Sequence, residues 1–137
     1  MKKSIHLTLS LLCSFVVAAY VVGCSKSEDA MDDKSVNVPT QIAALKGQDK
    51  EAVQNACGEL GKAGALAAPA IPTLIPLLKD QDAVTRRLAA YALARIGPAT
   101  KAALPDLEAL RNDPDRLTGQ QAESALKAID PKKYGGN

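Results

Sequence analysis

Between residues 38 and 130 the apolar positions follow one pattern, clearest in the stretch 71–97. Leu74, Ile75, Leu77 and Leu78 recur at helical spacing, and Lys79-Asp80-Gln81 then breaks the run. A second set follows: Thr85, Ala89, Ala92, Leu93 and Ile96 share one face at i, i+3 and i+4 steps. Pro72 suits the first turn of the first helix, where its missing N–H is not needed. Pro76 lies inside that helix and should kink it or delay its start. Asp82 suits the N-cap of the second helix, Ala83 to Ile96, and Gly97 stands where a left-handed C-terminal cap belongs. The unit is a helical hairpin.

Its landmarks occur three times, 33 residues apart and without a gap. They are Pro39, Pro72 and Pro105; Asp49, Asp82 and Asp115; Ala56, Ala89 and Ala122; and Leu60, Leu93 and Leu126. A fixed period of this size marks a solenoid, in which each unit buries its apolar face against its neighbours. The expected fold is all-α, an α-solenoid of three hairpins at 38–70, 71–103 and 104–131. In the first, Asp49 caps a helix from Lys50 to Ala63, and Gly64 follows. Gly58 and Gly61 lie inside that helix, and each costs about 1 kcal/mol relative to alanine unless it permits close helix contact. In the third, Asp113-Pro114, Asp115 and Thr118-Gly119-Gln120-Gln121 all offer helix starts, and Pro131 stops the helix. Glu123 and Lys127 replace Ala90 and Ala94 of the middle unit, as a terminal capping repeat requires. Residues 132–137 read as a frayed tail.

The chain opens with the basic stretch Met1-Lys2-Lys3-Ser4 and an almost unbroken apolar run from Ile5 to Val22, closed by Gly23-Cys24. Eighteen such residues could just span a bilayer as an uncleaved anchor. The Gly-Cys ending instead resembles the bacterial lipoprotein signal. That resemblance implies removal of residues 1–23 and lipidation of Cys24, whose thiol and new amino group are acylated with chains such as palmitate. Ser25 after the cysteine resembles the outer-membrane sorting pattern, which implies a bacterial cell-envelope protein on the periplasmic face of the outer membrane. Residues 24–37 would then be the lipidated cysteine and a polar, disordered tether.

Removing the signal changes the chemistry available. It takes Lys2 and Lys3, leaving 15 basic and 15 acidic residues, so net charge supplies no reason to bind nucleic acid. It also takes His6 and Phe15, leaving a chain without His, Phe or Trp, whose only aromatics are Tyr91 and Tyr134. No ordinary acid/base shuttle, no common transition-metal site and no base-stacking platform remain. No metal and no cofactor are therefore expected. Cys57 has no intrachain partner and aligns with Ala90 and Glu123, so it reads as a small tolerated residue; a redox role would need a lowered pKa. Gly58-Glu59-Leu60-Gly61-Lys62 has the wrong spacing for a phosphate loop.

The 71–97 unit, with Ile71-Pro72-Thr73-Leu74-Ile75-Pro76-Leu77-Leu78 followed by Thr85-Arg86-Arg87-Leu88-Ala89-Ala90-Tyr91, resembles the short bacterial HEAT-like repeat of the phycobilisome-lyase type. That resemblance covers residues 38–130. It implies that the second helices line a concave inner face, and that an aspartate before the second helix and an arginine within it bond across neighbouring units. Asp82 and Arg86 match that structural pair; Val53 and Gly119 stand where the other units would carry the arginine.

The helical register turns Arg87, Tyr91 and Arg95 away from the leucine face, beside Gln54, Gly58 and Lys62 of the first unit and Gln120, Ser124 and Ala128 of the third. Tyrosine and arginine are frequent interface anchors. The expected function is a lipid-anchored scaffold without catalysis. It would bind a protein partner at Arg87, Tyr91, Arg95, Lys62, Gln54 and Gln120, with an ordinary solvated face as the bland counterpart. The rival class is an enzyme or enzyme accessory related to the HEAT-like lyases, although no nucleophile, base and orienting group can be assembled.

Overall fold

The computed structural model describes residues 36–136; the signal and most of the tether lie outside the described residues. Three hairpins follow in order. Helix α1 (Val38–Leu45) pairs with α2 (Lys50–Ala63), α3 (Ile71–Leu77) with α4 (Ala83–Ile96), and α5 (Leu104–Leu110) with α6 (Arg116–Ile129). The short α7 (Pro131–Tyr134) closes the series. The second helices α2, α4 and α6 pack side by side as one layer, and the shorter first helices pack each onto its own partner.

The repeat is visible in the core. Leu60, Leu93 and Leu126, each one period apart, are all essentially inaccessible, as are Ala56, Ala89 and Ala122. Ala and Leu at these positions let the second helices approach closely, and burial of each leucine contributes about 2 kcal/mol. Cys57 and Ala90 occupy the same repeat position and are wholly buried between units. In the third hairpin the position becomes the exposed Glu123, paired with Lys127 at 3.1 Å. Glu123 and Lys127 make that flank of the third hairpin polar.

The second helices start at Asp49, Asp82 and Asp115. Asp82 accepts the Thr85 N–H at 3.0 Å and Asp115 accepts the Thr118 N–H at 2.8 Å, and both threonine hydroxyls donate back to the same carboxylates. Asp115 thus settles the start of the third unit's helix. The sequence offers no threonine at the matching position of the first unit, where Ala52 stands, and Asp49 caps the Glu51 N–H instead.

Three expectations need correction. Gly64 and Gly97 do end α2 and α4 with positive φ, 58° and 84°, but their ψ values of −131° and −145° are not those of a left-handed cap. This mirror-extended region is open essentially only to glycine. It turns the chain sharply into 3₁₀ segments, Gly64–Ala70 and Pro98–Ala103, which link one hairpin to the next and which the apolar pattern did not reveal. Pro76 does not delay its helix: α3 starts at Ile71 and accommodates Pro76 one residue before its end, where little intrahelical bonding remains to lose. Nor are residues 132–134 frayed. Asp130 caps α7 by accepting the Lys133 N–H, and Tyr134 folds back on the core while its hydroxyl donates to Glu108.

Candidate functional site

The outward face of the second-helix layer carries the residues that the register singled out. Arg87 and Tyr91 are half-buried and Arg95 is exposed; Gln54 and Gly58 are half-buried, Lys62 exposed; Gln120, Ser124 and Ala128 are all exposed. Two large apolar residues join them that sequence reasoning missed. Val84 is 37% and Leu117 48% exposed, and they occupy the same position of α4 and α6. The Thr118 hydroxyl donates to the Ala83 carbonyl at 3.1 Å and so joins the first turns of α4 and α6, the turns that carry Val84 and Leu117. Half-buried Leu88 lies one turn on from Val84, at i+4 on the same face. The signal was available: the first unit has Glu51 where the other two have Val84 and Leu117. Leu66, 76% exposed, lies in the first 3₁₀ linker and not on a second helix.

Tyr91 is both a surface residue and a packing residue. A Cβ on Gly61 would overlap the Tyr91 ring, so the absent side chain is what lets the ring lie across α2. Gly61 is therefore a close-contact glycine, whereas a Cβ on Gly58 would meet nothing within 4 Å. The open space above Gly58 lies in the same repeat position as Tyr91. Lys62 is bonded to Glu59 at 2.6 Å, which raises its pKa.

Polar groups tie the hairpins together, and here the sequence assignment changes. Arg86 does not bond Asp82. Its Nε and Nη2 donate to the two carboxylate oxygens of Asp113 at 2.7 and 2.8 Å, and Nη1 donates to the carbonyls of Asp80 and Gln81. Asp82 reaches the other way, accepting from Gln54 Nε2 at 2.9 Å and pairing with Lys50 at 2.6 Å. The reason is geometric: a side chain four residues into the helix points past its own cap toward the loop of the next hairpin. Gln54 is thereby committed to inter-unit bonding. Arg87, one period on, stands near Asp115, and its charge helps to lower that carboxyl's pKa behind the Thr118 bonds. Lys50 and the Thr85 N–H hold the Asp82 carboxyl at about 2. The Arg86 bond holds Asp113 low and Arg86 high.

Gly119 takes the arginine position in the third unit because a Cβ there would stand 2.8 Å from the Arg111 carbonyl oxygen. Cys57 is fully buried, and burial, with the charge of Asp80 behind it, pushes its thiol up to about 12. That is opposite to what a redox or nucleophilic cysteine requires. Among the described residues no group of three or more His, Cys, Asp or Glu side chains is arranged to hold a metal ion. The site offers contact surface and charge.

A family model described as HEAT repeats matches residues 38–127. Neither the search of curated proteins nor that of solved structures found a match.

Proposed function

This chain belongs to the HEAT repeat family, and on that premise we propose that it is a lipid-anchored scaffold of a bacterial cell envelope that binds a protein partner. The observation that carries the binding reading is the outward face of α4 and α6. There Val84 and Leu117 expose apolar surface beside Leu88 and Tyr91, with Arg87 and Arg95 at its margin. A central patch of apolar and aromatic groups with charged groups around it is the composition of a docking surface. The anchor reading rests on the sequence alone: Gly23-Cys24 after the apolar run supports acylation at Cys24, and Ser25 supports the periplasmic face of the outer membrane.

Two experiments test these parts separately. Mass spectrometry of the mature protein should find an acylated N-terminal Cys24, and an N-terminus elsewhere refutes the anchor. For the face, detergent-solubilised full chain captures its partner in parallel with Tyr91→Ala, Leu117→Asp and the off-face control Lys101→Ala. Truncating a central anchor typically costs at least about 2 kcal/mol of binding, so the first two should lose most of the capture and the control none. Equal capture by all forms refutes the face.

A further inference from the structure

The boundary between the middle and third hairpins is closed by Arg86; the boundary between the first and middle hairpins has no such residue. One period before Arg86 stands Val53, and one period before Asp113 stands Asp80. Asp80 nevertheless adopts the geometry of its counterpart. Asp80 Oδ1 accepts the Asp82 N–H at 2.8 Å, as Asp113 Oδ1 accepts the Asp115 N–H at 2.8 Å. Yet no cation pairs with the Asp80 carboxylate among the described residues.

The second half of the guanidinium's setting is duplicated too. Arg86 Nη1 donates to the carbonyls of Asp80 and Gln81, whose counterparts in the first unit are Gly47 and Gln48. Neither of those carbonyls accepts a hydrogen bond from a described residue. Gly47, Gln48 and Asp80 all line one open cleft of about 960 Å³, whose apolar wall is Leu45, Val53 and Leu77. Lys50 and Asp82 border it, already matched to each other at 2.6 Å, so the Asp80 charge is the one left over.

We infer that this cleft is a receptor for an arginine side chain of a partner polypeptide. Its guanidinium would take the place that Arg86 fills one boundary later. A carboxylate and two carbonyls match the planar fork of a guanidinium, which can bond a carboxylate bidentately; an ammonium is a compact point charge without that fork. The cleft is far larger than a guanidinium alone, and its apolar wall suits the methylene stem that carries one. The site lies at the loop edge of the array and uses none of the residues of the α4–α6 face.

The test is an NMR titration of the full chain in detergent micelles with acetyl-Ala-Arg-Ala-amide, run beside the matching lysine and citrulline peptides and guanidinium chloride. Saturable shifts are expected at the Gly47, Gln48 and Asp80 amides with the arginine peptide, and affinity at least about tenfold weaker for the lysine and citrulline peptides. Asp80→Asn keeps the acceptor for the Asp82 N–H and should weaken binding by about tenfold or more. Val53→Arg supplies the missing guanidinium from within, and should abolish binding while raising the thermal midpoint. Tyr91→Ala should leave this binding unchanged, which separates it from the outward-face reading. Absence of saturable shifts, equal affinity for the lysine or citrulline peptide, or unchanged binding in either folded variant overturns the inference. Guanidinium ion binding as tightly as the peptide overturns the polypeptide as its occupant.

Discussion

Arg86 closes on Asp113 with two bonds, across the boundary between hairpins that are consecutive in the chain. The two side chains are only 14% and 5% exposed, so each needs the other. Arg86→Ala leaves a nearly buried carboxylate without its cation and should cost about 2–3 kcal/mol in chemical denaturation. Replacing both, as Arg86→Met with Asp113→Leu, should cost clearly less than the single change. A single mutant as stable as the wild type would mean that the pair does not join the units.

The two glycines of α2 should respond in opposite directions. Gly58→Ala adds a methyl group into open space in a helix interior and should stabilise by about 0.5–1 kcal/mol. Gly61→Ala drives a methyl group into the Tyr91 ring and should destabilise despite the same gain in helix propensity. Thermal unfolding of the two variants and of Gly61→Ala with Tyr91→Ala checks this, since removing the ring should relieve the cost.

Acid should loosen the unit boundaries before it affects the leucine core. Asp82 is held at about 2, and Asp113 and Asp115 are also lowered, below the roughly 3.9 of an unfolded aspartate. Carboxyls lowered in the folded state stabilise it above about pH 4, and that contribution is lost as pH falls toward about 2. Unfolding midpoints measured by circular dichroism should drop through this window, and Asp113→Asn should flatten the decline. A midpoint independent of pH between 4 and 2 would exclude these carboxylates as ties.

Much of this was legible in the sequence because solenoid packing is local. The 33-residue spacing of Leu60, Leu93 and Leu126 determined which faces are buried, and Asp49, Asp82 and Asp115 marked the helix starts. The stripe through Arg87, Tyr91 and Arg95 followed from helical register. What escaped depends on distance across units. Arg86 and Asp82 look like partners at i, i+4, but only the packing of the third hairpin shows that Asp113 is nearer. The 3₁₀ linkers were hidden because Ala65, Ala67 and Ala68 suit any helix, and the contribution of Val84 and Leu117 because exposure of an apolar side chain depends on which neighbours stack over it.

The central claim, that the outward face of α4 and α6 receives a protein partner, is tested most directly by site-specific photo-crosslinking in intact cells. A photoreactive amino acid placed singly at Arg87, Val84 or Leu117 should give one shared adduct of defined mass, and the same probe at Lys101, in the second 3₁₀ linker, should not. Adducts that are absent at all three face positions, or that form equally at the control position, would contradict the account.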